Sequence, residues 1–489
     1  MGMRRRGERQ EPMWVGATAL PRSPGHKFYE SLNELLRTSG FDGEVERLCE
    51  PYFDAQLGRP SVAPGVYFRM LLVGYFEGIE SERGLEWRCS DSLSLRSFIG
   101  VLVNERVPDH STLSRMRTRL PESVYEAFFK HVLSTVKKAG LLHGRVVGVD
   151  STYLRADASM KSIVRRDTGE DYGTYVKSLC EKAGVEAPTA EDAQRMDRSR
   201  KGKRTSNADW QSPTDTEAEI ARLKDGRTRL AYKAEHVVDL ETGVVVAAEI
   251  LPATSPDSRT LEPSLLAARS NLEDAHDDED DDDDDDDPDL NAGDAENPAT
   301  EKTVEVVGDK GYHTVEGLLR LKRAGFRTYI PAPKSPGKKR HFCDKGGMLA
   351  REAFYANRAR CERTKGKKHL RKRGELLERT FAHACETGGH RRTRLRGRSN
   401  VRKRYLVHIA GLNLGIVMRA RFGHGTPREM AGRAARELLF GILGLMAALY
   451  VAGRNSAFAL GMVLRASWAA LRLPDHYRDH RTPAFSTGC

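Results

Sequence analysis

Cysteine is scarce in this chain: seven among 489 residues, with no Cys-x-x-Cys pair. That scarcity excludes a disulfide-dense scaffold and fits a reducing compartment. It also leaves a zinc cage short of ligands, since His341 and Cys343 have no second pair at suitable spacing. Long apolar runs are missing too. The greasiest segment, Leu438 to Ala452, is shorter than the roughly 20 residues a membrane span needs, and Arg433, Arg436 and Arg454 flank it, so a buried helix is expected and no membrane partner. The basic start MGMRRRGERQ lacks a following apolar stretch, which argues against a secretory signal and for the cytoplasm. No internal repeat is evident. Hydrophobic residues make up only 39%, so much of the chain is surface or loop, although its length suffices for two or three domains.

Charge is plentiful and unevenly spread. The formal net charge of +11 understates the basic character, because an acidic run at Glu273–Asp289 cancels much of it. The remainder favours a polyanionic partner such as nucleic acid. Like charges repel, so the run itself is expected to be a disordered, solvated insertion; its functional reading is an electrostatic mimic that covers a basic groove.

Two stretches share one design. In RVVGVDSTYLRADA, Arg145 to Ala158, β-branched Val146, Val147 and Val149 read as a buried strand that ends near Asp150. In TVEVVGDKGYHT, Thr303 to Thr314, Val304, Val306 and Val307 lead into Asp309 and a Gly-rich turn. A carboxylate on a buried strand is paired, or it binds metal. Two strand-end aspartates in one chain suggest one shared site. Lys310, Tyr312 and His313 follow the second; they either position phosphate or form a capped turn.

Before these strands the pattern is helical from Lys27, with Pro64 in a first turn, core positions at Tyr67, Phe68, Leu71, Leu72, Tyr75 and Ile79, and a continuing core through Trp87, Leu93, Leu95, Phe98 and Ile99. VPDHSTLSRMRTRL, Val107 to Leu120, outlines a helix-turn-helix with Ser111 or Thr112 as cap and Arg115, Arg117 and Arg119 on the helix. Lys161 to Lys224 reads as a polar insertion. Leu230 to Leu251 forms a hairpin about Glu241-Thr242-Gly243, and Asp257 opens a helix to about Leu272. A helix over Thr314–Ala324 stops at Gly325, and a strand over Phe326–Ile330 stops at Pro331. The order is mixed α/β, with helices covering a sheet.

Beyond Pro331 the chain is very basic, with blocks at Lys365–Arg373 and Gly388–Arg404. Between them GELLERTFAHACE, Gly374 to Glu386, has a helical apolar side at Leu376, Leu377, Phe381 and Ala384, and carries Glu375 and Glu378 three apart. Tyr405 to Met418 follows as a core helix containing Asn413. Two strand-end aspartates, a helical glutamate and a large basic surface are what a two-metal phosphodiester site requires.

PDHSTLSR at Pro108–Arg115, VDST at Val149–Thr152, VGDKGYHT at Val307–Thr314 and RGELLERTFAHACETGGHRRTRLRG at Arg373–Gly397, in this order, resemble a bacterial insertion-sequence transposase of the DDE superfamily. The resemblance covers roughly Phe41 to Arg419. It implies an RNase H-like mixed sheet flanked by helices, preceded by an all-α N-terminal domain. The expected division is a basic arm at 1–26, a helical DNA-binding domain at 27–140, a catalytic domain at 141–435 with insertions at about 160–228 and 273–300, and a C-terminal helical segment at 436–489.

The resemblance further implies that Asp150, Asp309 and Glu378 are the catalytic, metal-binding acids, with two Mg²⁺ ions, or Mn²⁺ in their place. The partners it implies are DNA, as terminal inverted repeats and target, and a second copy of the chain when assembled on DNA at the nucleoid. Glu375 remains an alternative for the third acid. So does Glu362, because Tyr355, Arg358 and Glu362 match a family Tyr-x2-Arg-x3-Glu spacing that Glu378 does not. Phosphate contacts are expected from Arg391, Arg392, Arg394 and Arg396, with Arg115 and Arg117 on the N-terminal helices. Rival readings are a nuclease without strand transfer and a DNA-binding protein whose acids have become structural.

Overall fold

The computed structural model describes residues 26–54, 61–200, 206–223, 225–276, 303–333, 347–432 and 440–446. The expected basic arm (all but His26), the acidic run beyond His276, the His341–Cys343 pair and most of the C-terminal segment lie outside them.

Seven helices come first: α1 (Lys27–Thr38), α2 (Phe41–Cys49), α3 (Pro64–Glu77), α4 (Glu82–Asp91), α5 (Leu93–Ile99), α6 (His110–Arg119) and α7 (Glu122–Lys138). Pro64 opens α3 where its missing N–H costs nothing, and Gly78, at φ 68°, closes it in the left-handed region. Apolar all round but for Arg69, which pairs with Asp42, and buried from Tyr67 to Phe76, α3 is the hub against which the others pack. Two expectations need correcting. Asp109, not Ser111 or Thr112, caps α6, accepting from the Thr112 amide at 2.6 Å. That bond and the Ser111 hydroxyl hold its carboxyl down to about 2, the state a helix N-terminus favours. Trp87 and Leu93 are exposed and lie off the core that Leu95, Phe98 and Ile99 join.

β1 (Val146–Arg155) opens the sheet. The polar insertion is more ordered than its composition suggested: β2 (Val164–Arg165), α8 (Tyr172–Lys182), α9 (Ala190–Ser199) and β3 (Trp210–Gln211) form a small satellite, and β4 (Glu219–Arg222) joins the main sheet. Then follow β5 (Thr228–Asp239), β6 (Val245–Pro252), α10 (Asp257–His276), β7 (Glu305–Val307), α11 (Val315–Arg323), β8 (Arg327–Tyr329), α12 (Gly347–Glu362), α13 (Thr364–Ala382) and α14 (Arg398–Phe422). The main sheet runs β4-β5-β1-β7-β8, with β6 also on β5. Its β1, β5 and β6 are antiparallel, whereas β1, β7 and β8 are parallel. This is the mixed α/β sheet expected of the RNase H-like class.

Helices cover both faces. α10 and α11 pack on one; α13 and α14 pack on the other; α12 lies along the β8 edge. α14 starts seven residues earlier than the pattern indicated, inside the basic block, and is buried over most of its length. It lies between β6 and the helices α3 and α7. Asn413 on it takes a backbone amide and gives to a backbone carbonyl of Val245, at 3.0 and 2.8 Å. Among the described residues no helix is long and apolar enough to cross a membrane. Phe440–Met446 is helical as expected but exposed rather than buried.

Candidate active site

The register of β1 and β7 decides where the two aspartates go. Gly148 pairs with Val307 in parallel, and two residues further on each chain carries an aspartate, Asp150 and Asp309. Adjacent strands lie roughly 4.8 Å apart, so the two are neighbours, although Asp150 lies in the middle of β1 rather than near its end as expected, and Asp309 lies two residues past β7. Asp150 is half-buried, opposite His236 on β5. Asp309 is exposed, and its carboxylate accepts from the Lys310 amide at 2.6 Å, capping the 3-10 turn Lys310–Tyr312. That turn is clamped from below. Buried Tyr312 donates to Glu235 at 2.9 Å, and Glu235, fully buried, also accepts from Thr260 at 2.7 Å and Ser264 at 2.6 Å. Burial and the Glu235 charge push the Tyr312 hydroxyl well above its ordinary pKa, so it stays a donor. Lys233 balances the cluster, 2.5 Å from Asp257. A side chain at Gly311 would meet the Asp257 carboxylate at 2.7 Å, which explains the glycine. The Asp309 turn is thus a rigid, capped structure, as one reading of Lys310, Tyr312 and His313 had it.

α13 crosses the sheet over this end. It is longer than the expected helix, because the basic block Lys365–Arg373 forms its first half, and it ends at Ala382. One face runs inward at four-residue spacing: Lys365 and His369 reach Glu305, Arg373 reaches Asp150 at 3.0 Å, and Leu377 lies over Gly148. Phe381 stacks on His236 at 4.2 Å. Gly148 makes this close crossing possible, since a Cβ there would come within 2.7 Å of both Leu377 and Leu240.

Glu378 is one residue past Leu377 and one turn before Phe381; its side chain is exposed, and at about 100° per residue it lies roughly 140° around α13 from Arg373, the residue that meets Asp150. Glu375 is on the opposite flank, paired with Arg379 at 2.9 Å, near the hairpin glycine Gly243 that Leu376 approaches. Glu362 ends α12 at the β8 edge, two strands from β1, and pairs with Arg358 at 2.9 Å. Among the described residues no three His, Cys, Asp or Glu side chains are gathered closely enough to hold a metal ion. The cation beside Asp150 is Arg373, whose guanidinium also donates to the Val149 carbonyl at 3.2 Å, while its Nε is buried without a partner.

The expected phosphate-binding arginines divide. Arg115 is exposed and, among the described residues, bonds within its own turn. Arg117 corrects the expectation: its side chain is 13% exposed and paired with Glu82, bracing α6 against α4. Arg391 pairs with Glu386, Arg392 and Arg396 with Asp157, and Arg394 with Glu80, all while remaining substantially exposed. Sequence reading missed Arg373, Lys233, Glu235 and Asp257. The signal for two of them was present, since Lys233 and Glu235 are charges at alternate positions in the buried part of a strand.

A mixed sheet with one aspartate within β1 and another just past the parallel strand β7, crossed by an acid-bearing helix, is the arrangement expected of the RNase H-like class. A Transposase domain (DUF772) model matches residues 18–119, the helical part, and a Transposase DDE domain model matches residues 340–417, which include α13. The two matches support an insertion-sequence transposase of the DDE superfamily, a family that acts on DNA and depends on divalent metal. No curated protein and no solved structure matches it.

Proposed function

We propose that Asp150, Asp309 and Glu378 are the catalytic acids of this transposase, holding two Mg²⁺ ions, with Mn²⁺ able to replace them. The observation that supports the reading is the β1–β7 register, in which Gly148 pairs with Val307 and each chain reaches an aspartate two residues further on. The donor set fits the ions, because hard carboxylate oxygens are what Mg²⁺ takes, and a cation already stands beside Asp150 as the Arg373 guanidinium. When bound, the ions stabilise the attacking and leaving oxygens of an in-line displacement. The chain's own part is orientation. The Tyr312–Glu235 bond fixes the Asp309 turn, Gly148 lets α13 approach, and Glu378 would turn in from the exposed side of α13 to join the aspartates.

The substrate is a transposon end: the 3′ strand is cut by water, and the freed 3′-OH attacks target DNA, with no covalent enzyme intermediate. A homodimer assembled on the terminal inverted repeats, at the nucleoid in the cytoplasm, would hold two ends. Arg115, Arg391, Arg392, Arg394 and Arg396 contact backbone phosphates; the surface ion pairs of the last four are worth only about 0–1 kcal/mol, so phosphate can displace the acid partners. The test is incubation of the chain and Mg²⁺ with a duplex from the DNA flanking its gene, then with the 3′-OH-ended product and a plasmid. Joined products support the reading; nicking without joining reduces it to a nuclease, and no cleavage reduces it to a DNA-binding protein.

A further inference from the structure

Between α13, α14 and the β5–β6 hairpin lies a cavity of about 280 Å³ that the proposed mechanism does not use. Its cationic groups are Arg379 near the end of α13, His383 one turn later, and Arg419 on α14. No Asp or Glu among the described residues lines it, since Glu375 and Glu429, the acids that pair with the two arginines, stand outside its wall. Burial, then the charges of Arg419 and Arg379, hold the His383 imidazole below its ordinary pKa, so the three groups share one space. Leu376, Leu412 and Ile416 supply an apolar surface beside them.

Tyr75 on α3 is the second observation. It lines the same cavity although only 2% exposed, threaded between Gly388 and Gly411, where a Cβ would come within 3.0 and 2.6 Å of its ring. Its hydroxyl has no hydrogen-bond partner among the described residues, while Arg419 acts on it electrostatically. Burial pushes that hydroxyl above its ordinary pKa, so it remains a donor. Buried hydroxyls are normally paired, and a donor left open beside three cationic groups marks a place for an acceptor.

We propose that this cavity binds a small organic phosphate, with the phosphate on Arg379, Arg419 and the Tyr75 hydroxyl and a compact apolar body on Leu412 and Ile416. A phosphate monoester offers three terminal oxygens to these three donors, whereas a carboxylate offers two. Arginine suits the task because its planar fork matches phosphate oxygens two at a time. The present partners are no barrier, since Arg379–Glu375 and Arg419–Glu429 are surface pairs that a dianion can displace. The volume, just under the roughly 300–1,000 Å³ of drug-sized sites, admits one ring and its phosphate and excludes a polymer. The inference rests on no catalytic assignment, and its test requires no cleavage.

The experiment is calorimetric titration of the full chain, in chelator, with phenyl phosphate, and separately with inorganic phosphate and with benzyl alcohol. Phenyl phosphate should bind once per chain and at least about tenfold more tightly than either of the others, which carry the charge or the ring alone. Arg379→Gln with Arg419→Gln should weaken it by about tenfold or more, and Tyr75→Phe, which keeps the packing, by about tenfold, the loss of one hydrogen bond to a charged group. Arg421→Gln, exposed near the end of α14 and outside the cavity wall, should bind as wild type. Melting temperatures taken alongside show that each variant is folded. Wild-type affinity in the double arginine variant or in Tyr75→Phe, or phenyl phosphate binding no tighter than inorganic phosphate, overturns the proposal. Displacement of phenyl phosphate by a random-sequence duplex also overturns it, because the cavity would then serve the DNA backbone.

Discussion

At the scale of single residues the site is a question of which carboxylates can change partners. Asp150→Asn and Asp309→Asn should each abolish Mg²⁺-dependent cleavage of an end duplex while binding stays within a few-fold of wild type, because these groups supply metal ligation and little phosphate affinity. Cleavage that survives either change would sink the assignment. For the third acid, Glu378→Gln should eliminate cleavage, Glu375→Gln should weaken it, and Glu362→Gln should have little effect. Loss on Glu362→Gln alone would move the site to the end of α12. Both aspartates were legible in the sequence, since a charge closing a β-branched run announces itself. The pairing of Arg373 with Asp150 was not, because the partners are 223 positions apart and only the crossing of α13 over β1 joins them. The same holds for Arg394 and Glu80, 314 positions apart.

Among the elements, α13 and α14 depend on buried histidines that stay neutral. His236 sits between Phe381 and Tyr405, its Nε2 2.6 Å from the Tyr405 hydroxyl, and burial holds it down to about 3. Burial also holds His390 down to about 3 and pushes His408 well below its ordinary value. In the unfolded chain each would titrate near 6.5, so between about 6.5 and 3 the unfolded state binds more protons than the folded one, and stability falls as pH falls. Thermal melts should therefore show a declining midpoint below about pH 6.5; a flat midpoint down to about pH 5 would mean these rings are charged or exposed in the fold. Helix and strand types were largely readable from periodicity. The limits of α13 were not, since Lys365–Arg373 looks like a solvated charge run until its inward members, Lys365, His369 and Arg373, are seen to meet Glu305 and Asp150.

For the whole molecule, the joint between helical part and sheet decides behaviour. Arg402 on α14 pairs with Glu122 and Glu126 of α7 and, at 2.9 Å, with Glu249 of β6; α14 also covers α3. Residues 27–140 expressed alone would expose the surfaces of α3 and α7 that α14 covers, so they should aggregate, and the full chain should melt in one step. Two well-separated transitions would show that the parts fold apart. Residues 277–302, between α10 and β7, should behave differently. Closure cost grows by only about 0.6 kcal/mol per doubling of loop length, so a short Gly-Ser linker in place of the acidic run should preserve fold and activity, and a large rise in non-specific DNA affinity at low salt would show that the run shields a groove. No pattern in the sequence foretold the joint, because Arg402 reads as one more arginine in a basic block. A duplex touching both α6 and α13 would meet surfaces with no hinge at α14. The curvature needed to fit both would then fall on the DNA, and steps that kink cheaply, such as TA and CA, would be favoured at positions no side chain reads.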